Sequence, residues 1–300
     1  MSVYSADSTR SSGSVVAAHY NARPELGRER RNQSDIIGLR KYNNWVKNVL
    51  IGGHSRPGDC VLDLGCGKGG DLLKWNNAGI SYYLGLDIAE VSVQQARERF
   101  RDLRNARFKA EFHAIDCFGT SIRPVVPPQF SADIVSIQFC MHYAFGTRET
   151  ACQMLENATA YLRPGGHIIA TIPNANWLVK KVRSVPDLTF GNNIYTVKFK
   201  SKDQFTGFGD AYSFALQDAI DDCPEYLIHL PTLEDLGRQY NLQLVKARPF
   251  HEFYRDYLDN PELVRLLYRM HVLGPNGESM SAEEWEAVGL YMAVVFRKYD

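Results

Sequence analysis

The sequence predicts an α/β fold in which a mainly parallel, seven-stranded sheet carries helices on both faces. Three observations lead to this fold. Strand and helix patterns alternate along the chain, a glycine-rich loop follows the first strand pattern, and polar side chains stand at the ends of several strand patterns. Such alternation is typical of parallel sheets, whose ligands bind outside the carboxyl ends of the strands.

The first predicted element is a helix over residues 34–51. Apolar residues recur there at helical spacing, at Leu39, Tyr42, Val46, Val49 and Leu50. Asn43 and Lys47 share another face because they lie four residues apart. Gly52-Gly53 and Pro57-Gly58 end the helix. Residues 1–14 are rich in serine and small polar residues and are predicted to be disordered, which leaves 15–300 as one domain.

The strand–loop–helix unit of residues 61–75 is the most informative segment. An apolar run is followed by four glycines within the six residues 65–70 and then by a helical pattern. Glycines at these positions let the backbone approach a nucleotide-like ligand closely. Gly65, Gly67 and Gly70 also satisfy the dinucleotide pattern G-x-G-x-x-G, whereas the spacing of a P-loop is absent.

Polar side chains end the strand patterns, which are predicted at 60–64, 82–87, 107–115, 133–139 and 167–172. Asp87 follows the second strand, where an acid can hold a ribose. Asp63 can face a cationic amino acid but would repel a pyrophosphate. Three features together favour S-adenosylmethionine over a dinucleotide: Asp63 before the loop, the additional Gly69 within it, and Asp116, which closes the third strand. Gln138 ends the fourth strand at the same edge.

Helices are predicted at 70–78, 89–103 and 147–162, and Pro164-Gly165-Gly166 is the predicted turn into the fifth strand. Between about 190 and 230 apolar and polar residues alternate, which indicates antiparallel strands inserted into the sheet domain. The alternating residues are Tyr195, Val197 and Phe199, then Tyr212, Phe214 and Leu216. The sheet pattern returns with a helix at 232–240, a strand at 242–247, a helix near 262–271 and a strand near 289–296.

Composition narrows the possible functions. The chain is 45% hydrophobic and has zero net charge, which argues against a broad nucleic-acid footprint. Up to Pro57, however, nine basic residues face four acids, which suits a local phosphate contact. No segment has the apolar length of a membrane span, and no N-terminal targeting signal is evident. The six cysteines form no C-x-x-C pair, so neither a disulfide framework nor a metal site is predicted.

Several further segments resemble the eukaryotic messenger RNA cap (guanine-N7) methyltransferases, a class I S-adenosylmethionine-dependent family. The matching segments include His19-Tyr20-Asn21, Asn43-Asn44-Trp45-Val46-Lys47, the glycine loop, Gln138-Phe139-Cys140-Met141-His142-Tyr143 and Cys223-Pro224-Glu225-Tyr226. The resemblance covers residues 17 to 296. It implies a class I methyltransferase (Rossmann-like) fold and transfer of a methyl group from S-adenosylmethionine to guanine N7 of the GpppN cap. Members often carry a long charged N-terminal arm, which is short here.

The resemblance and the strand positions together give a cofactor site. It comprises Lys47, Asp63, Gly65, Asp87, Asp116, Gln138 and Tyr143. Asp63 would face the ammonium of the methionine end, Asp87 the ribose hydroxyls and Asp116 the adenine amine.

For the cap, the resemblance implies a second set of residues: Asn43, Asn44, Lys68, Lys74, Arg99, His142, Glu225 and Tyr291. The two asparagines would lie beside the first nucleoside, and the three cations would meet the triphosphate. Glu225 would accept from the Watson–Crick edge of the guanine. Because the attacking nitrogen carries no proton, no catalytic general base is expected, and rate would come from proximity and orientation.

Three alternatives remain at this stage: a class I methyltransferase of a small molecule, an NAD-dependent dehydrogenase, and a cap-binding module without activity. The family further implies a nuclear, monomeric enzyme whose partner is the 5′ cap of mRNA, with capping enzyme or the RNA polymerase II machinery as possible protein partners and no membrane.

Overall fold

A computed structural model describes residues 13, 18, 21, 34–274 and 280–300. The predicted tail 1–14, apart from Gly13, and the matched His19-Tyr20 lie outside the described residues. In the described part no helix is both long and apolar enough to cross a bilayer.

A sheet of seven strands forms the centre of the molecule, in the order β10-β11-β5-β4-β1-β2-β3. The strands are β1 (Cys60–Leu64), β2 (Tyr82–Asp87), β3 (Lys109–Ala114), β4 (Ala132–Gln138), β5 (Leu162–Pro173), β10 (Leu242–Pro249) and β11 (Tyr291–Lys298). The five strands β1 to β5 run parallel, and β11 pairs antiparallel with both β5 and β10. The predicted fold class is confirmed.

Helices cover the sheet on both faces. They are α1 (Ile37–His54), α2 (Leu72–Ala78), α3 (Glu90–Arg101), α4 (Arg148–Ala160), α5 (Ala175–Ser184), α6 (Leu230–Gln239), α7 (Phe250–Tyr257), α8 (Pro261–Arg269) and α9 (Ala282–Val288), with 3₁₀ turns at Arg123–Val125 and Met141–Gly146. Successive strand residues enter different cores, as Tyr83 and Leu84 do. One core contains α1, α2 and α3, and the other contains α4 and α6.

The predicted insertion is a separate antiparallel sheet, in the order β6-β7-β8-β9. Its strands are β6 (Thr189–Gly191), β7 (Tyr195–Phe199), β8 (Ala211–Leu216) and β9 (Ile220–Tyr226). The alternating apolar residues of β7 and β8 are buried and join the core that contains α1. This sheet therefore turns one face towards the first helix, and that contact matters for the site.

Some predicted boundaries were wrong. Pro164-Gly165-Gly166 lies inside β5, where Gly165 adopts φ +76° and the register with β4 shifts, so it is an irregularity within a strand and not the turn before it. The helix after the glycine loop begins at Leu72 because Gly67 and Gly69 keep the backbone left-handed. β3 ends at Ala114, which leaves Asp116 beyond the strand. Helices α5, α7 and α9 were not predicted.

Candidate functional site

A cavity of about 380 Å³ opens at the carboxyl edge of the parallel strands, above the glycine loop. All seven residues predicted for the cofactor line this cavity: Lys47, Asp63, Gly65, Asp87, Asp116, Gln138 and Tyr143. They come from six different segments of the chain. The parallel topology brings them together because it places the ends of β1, β2, β3 and β4 side by side.

The glycine loop forms the floor of this cavity. Gly65 has φ +80°, and its N–H donates to the carbonyl of Leu86 at 2.8 Å. A β-carbon at this position would collide with the thiol of Cys140, so no larger residue fits without displacing that side chain. The N–H of Gly67 donates to Asp87 Oδ2 at 2.8 Å, which ties the loop to the end of β2.

Asp87 presents a fixed acceptor to the cavity. Its Oδ1 also accepts from the N–H of Ala89 at 2.9 Å, so each carboxylate oxygen accepts from at least one backbone donor. Burial raises the pKa of this carboxyl, and backbone hydrogen bonds from Ala89, Gly67 and Ile88 oppose that rise. A carboxylate has about four acceptor positions, so capacity remains for a hydroxyl of a ribose.

Asp63 lies deeper in the same cavity and is 3% exposed. Burial raises its pKa to about 7, while the hydroxyl of Tyr83, which donates to Oδ2 at 2.7 Å, and the charge of Lys47 act in the opposite direction. A cationic group beside Asp63 would offset the burial and stabilise its charged form.

Asp116 stands at the far side of the cavity. Its Oδ1 accepts from the N–H groups of Phe118 at 3.1 Å and Gly119 at 2.8 Å. These bonds fix the carboxylate in the loop after β3, two residues past the strand end.

A buried carboxylate that the sequence analysis missed joins two lysines. Asp71 is 8% exposed; its Oδ2 accepts from Lys47 Nζ at 2.9 Å, and its Oδ1 lies 2.8 Å from the same nitrogen as an ion-pair contact. Lys74 Nζ lies 2.7 Å from Asp71 Oδ1. Although burial raises the pKa of Asp71, the two ammonium groups outweigh that effect and lower it to about 2. An acid at a helix start is common, so the sequence alone gives no signal for this contact.

A second, smaller cavity of about 220 Å³ lies between α1 and strands β8 and β9. Four of the eight residues predicted for the cap line it: Asn43, His142, Glu225 and Tyr291. Arg40 lines it as well and was not predicted. The remaining walls are mostly apolar, and the cavity therefore suits a flat base with polar edges.

Glu225 is the central polar group of the second cavity and is 3% exposed. Its Oε2 accepts from the hydroxyl of Tyr212 at 2.6 Å, while Oε1 lies 3.5 Å from His142 Nε2. Burial and the neighbouring Glu225 raise the pKa of Tyr212 well above its ordinary value, so the tyrosine remains a donor.

One wall separates the two cavities. Side chains alternate along β9, so Glu225 faces the second cavity while Pro224 and Tyr226 line the first. Phe139 lines both. It adopts φ +57°, an uncommon backbone conformation for a bulky residue. Its N–H donates to Thr171 Oγ1 at 2.8 Å, and its ring packs edge-on against Tyr291 at 5.0 Å.

The other four residues predicted for the cap do not line the second cavity. Asn44 accepts from Lys74 Nζ at 2.9 Å through its side-chain oxygen, so it contacts one of the two lysines bound by Asp71 and does not line the second cavity. Lys68 lies within the glycine loop, before the helix. The charge of Arg99 lowers the pKa of Lys74, although burial is the larger cause, which places these two cations near each other.

Buried polar atoms without a hydrogen-bond partner in the described part of the chain mark both cavities. Gln138 Oε1 is such an atom in the first cavity, and Asn43 Oδ1 and both ring nitrogens of His142 are such atoms in the second. Leaving a buried polar atom unpaired costs about 1–3 kcal/mol, so these atoms fit ligands that complete their hydrogen bonds. The carboxylates and the side-chain amide that line the first cavity fit the charged and hydrogen-bonding groups of S-adenosylmethionine.

Comparisons with known proteins identify the family of this chain. The family model described as the mRNA (guanine-N(7))-methyltransferase domain matches residues 3–299. The chain belongs to this family. A relative named mRNA cap guanine-N(7) methyltransferase from Cryptococcus neoformans is 46% identical over 294 residues, which are 95% of this chain and 47% of that protein. This chain therefore spans about half the length of that relative.

Two further family members match over more of their length. A relative named mRNA cap guanine-N(7) methyltransferase 1 from Oryza sativa is 41% identical over 304 residues, covering 96% of this chain and 82% of its own. One named mRNA cap guanine-N(7) methyltransferase from Schizosaccharomyces pombe is 42% identical over 295 residues, covering 95% and 82%.

Solved structures share the fold at low sequence identity. The CcbJ methyltransferase from Streptomyces caelestis superposes with a TM-score of 0.53 at 14% identity, covering 96% of this chain and 98% of its own. The magnesium protoporphyrin IX methyltransferase from Synechocystis, solved with bound S-adenosylmethionine, gives 0.52 at 11%, covering 98% and 100%. The family and the fold are those of S-adenosylmethionine-dependent methyltransferases, which confirms the predicted family, fold class and cofactor.

Proposed function

We propose that this chain transfers a methyl group from S-adenosylmethionine to guanine N7 of the GpppN cap of mRNA, by in-line displacement without a general base. One observation carries the proposal beyond family membership. A cavity suited to the cofactor and a cavity suited to a flat base meet at one thin wall, which consists of Phe139 and strand β9. Such an arrangement holds two ligands in a fixed relation, and fixed orientation can supply several kcal/mol of the barrier.

The first cavity would hold the cofactor along its length. Asp63 and Lys47 would hold the charged methionine end, Asp87 the ribose hydroxyls, and Asp116 the adenine amine. Gln138 and Tyr143 lie on the side nearest the wall. When bound, S-adenosylmethionine supplies a methyl group made electrophilic by its sulfonium.

The second cavity would hold the guanine. The edge of guanine that pairs in a duplex presents two neighbouring N–H donors, and the buried Glu225 is an acceptor held in place by Tyr212. Tyr291 and Phe139, packed edge to face, would flank the base. The side chains of Asn43 and His142 carry unpaired polar atoms into the same space and would complete the recognition.

The chemistry asks little of the protein in proton transfer. Guanine N7 attacks with a lone pair in the ring plane and carries no proton, so no residue has to remove one. The base acquires positive charge as the bond forms. The Glu225 carboxylate is then favourably placed because it is already buried and oriented, which is how electrostatic stabilisation acts in water-excluded sites. The cations near the glycine loop, Lys68, Lys74 and Arg99, would meet the triphosphate.

Methyl transfer from labelled S-adenosylmethionine tests the proposal. GpppG-ended RNA, GpppG, free GTP and a panel of small-molecule acceptors would be offered in parallel, and the products digested to locate the methyl. We expect labelled N7-methylguanine from the capped substrates. A small molecule methylated better than GpppG, or label at any other atom, would refute it. A chiral methyl group would test for the inversion that in-line displacement requires.

We further propose a monomeric, nuclear enzyme that works beside the capping enzyme or the RNA polymerase II machinery. These proposals rest on the family alone. Light scattering of the purified protein, localisation of a tagged chain, and co-purification with those two candidate partners test them separately.

A further inference from the structure

We propose that the RNA chain downstream of the cap runs along a basic track formed by Arg99, Arg104, Arg107 and Lys109, on the surface beside the end of α2. This inference rests on the proposed function, because it assigns the course of the same substrate beyond its triphosphate. The chain as a whole is balanced, but residues 97–109 contain six basic residues and two acids. The positive charge is therefore concentrated on this segment.

The track lies against α2, the helix that carries Lys74, one of the cations assigned to the triphosphate. Arg99, on α3, is close enough to Lys74, on α2, to affect its titration. Asn76 follows Lys74 by two residues on α2, a rise of about 3 Å along the helix. Its side-chain oxygen accepts from the backbone N–H of Arg107 at 2.9 Å. The N–H of Lys109 donates to the carbonyl of Ser81 at 3.0 Å. These two bonds hold the 104–109 segment against the residues around the end of α2.

The cations at the far end of the track are available to a ligand. Arg104, Arg107 and Lys109 are exposed, and they have no ion-pair partner within 34–274 and 280–300. By contrast, the neighbouring Arg97 and Arg101 lie within 4.0 Å of Glu90 and Glu98. Arg104, Arg107 and Lys109 are thus not neutralised by ion pairs within the described residues, and their cationic groups can bind phosphate, the arginines with two parallel hydrogen bonds.

The chemistry of the track favours a phosphodiester chain over a protein partner. The exposed residues between positions 101 and 109 are Arg101, Asp102, Arg104, Asn105, Ala106, Arg107 and Lys109. None has a large apolar side chain, whereas protein interfaces contain an apolar core. Phosphate contacts made by arginine and lysine position a nucleic acid without reading its sequence. A substrate whose 5′ end is invariant but whose body varies requires this kind of contact.

A triple variant, Arg104→Ala/Arg107→Ala/Lys109→Ala, tests the track. Methylation of GpppG and of a long capped RNA would be compared over a range of salt concentrations. We expect the variant to keep wild-type kinetics on GpppG and to raise the KM for the long RNA about tenfold at low salt. Its log–log salt dependence should flatten by about 2, since each phosphate contact on a single strand contributes about 0.7.

A matched control removes three charges elsewhere. Lys180 on α5, Lys198 on β7 and Lys200 just after β7 are exposed and have no ion-pair partner in the described ranges. The variant Lys180→Ala/Lys198→Ala/Lys200→Ala should behave as wild type on both substrates. If the control variant showed an equal rise in the KM for the long RNA, the effect would be due to net charge alone, and the proposal would be overturned. Wild-type KM and salt dependence in the track variant would also overturn it.

Direct binding separates this inference from the proposed function. Fluorescence anisotropy with a labelled uncapped RNA of the same sequence measures the track without any chemistry. Weaker binding by the track variant than by the control variant supports the track even if GpppG proves not to be a substrate. Equal binding by both, with GpppG methylated normally, removes the track and leaves the proposed function intact.

Discussion

Replacing Asp71 with asparagine should weaken both ligand sites at once, because this carboxylate is the shared partner of Lys47 and Lys74. Lys47 lines the cofactor cavity, and Lys74 lies with the cations assigned to the triphosphate. Asparagine keeps the size of the side chain but removes its charge. Two partly buried ammonium groups, which are 15% and 10% exposed, would then lie near each other without the carboxylate that they share.

The magnitude follows from the pKa of Asp71, which the two lysines lower from 3.8 to about 2. A carboxyl whose pKa is lowered on folding stabilises the folded state at pH values above its pKa in the unfolded chain. That stability is lost as pH falls from about 4 to about 2. The shift corresponds to about 2 kcal/mol at neutral pH. Removing one partner of a buried pair costs more, about 3–5 kcal/mol. Because both lysines reach solvent and can move, we expect the lower end of that range.

The assay measures KM for S-adenosylmethionine and for GpppG separately, together with thermal stability. Lys47→Ala should raise mainly the first KM, Lys74→Ala mainly the second, and Asp71→Asn both. The control is Asp210→Asn, which removes another buried carboxylate, bonded to Thr206, Gly207 and His229. It should lower stability and leave both KM values unchanged. If Asp71→Asn lowers stability alone, as the control does, the assigned coupling of the two sites is wrong.

Four further predictions concern individual residues. Because the pKa of Asp63 is raised to about 7, its anion is depleted below neutral pH. Affinity for S-adenosylmethionine should then rise with pH through about 7, and Tyr83→Phe should move this midpoint upward; pH-independent calorimetric titrations would contradict this. Asp87→Ala should reduce cofactor affinity at least tenfold, since hydrogen bonds to charged acceptors contribute about 1.5–3 kcal/mol each, and unchanged affinity would remove it from the site. Glu225→Gln and Glu225→Ala should each lose about 100-fold in rate on capped RNA without losing cofactor affinity. His142→Ala should slow turnover. Neither the wild type nor the His142→Ala variant should show a histidine-linked step in its pH profile, because no general base is expected.

Part of the first cavity could be predicted from sequence because several of its residues lie at strand ends. Asp63, Asp87 and Gln138 each end a recognisable apolar run, and the topology of a parallel sheet then brings such ends to one edge. Their spatial proximity needs no knowledge of side-chain contacts. The exceptions are contacts between separate elements. Nothing in the local sequence of Asp71 reveals that two lysines from different helices meet at it.

The second cavity was far less accessible to sequence reasoning. Glu225 and Tyr291 came only from the family resemblance, because neither stands at the end of a parallel strand. The sequence of β9 shows no regular alternation of polar and apolar residues, so it gives no sign that Glu225 is buried. The exposed residues of the same strand are two acids and a proline. The placement of Asn44 beside Lys74 and away from the cavity likewise depends on how α1 packs on α2.

The two cavities differ in what holds them in shape. The first cavity is formed mainly by the ends of the parallel strands and the glycine loop, and α1 and β9 contribute Lys47, Pro224 and Tyr226. The second cavity includes the space where the start of α1 meets the turn between β8 and β9. There Ser34 donates to Asp218 Oδ2 at 2.7 Å, Gln217 donates to Asp35 Oδ2 at 2.8 Å and Arg40 donates to the carbonyl of Asp218 at 2.5 Å. These contacts join residues about 180 positions apart. Because these three contacts join separate elements of the chain, we infer that the shape of the second cavity depends on them.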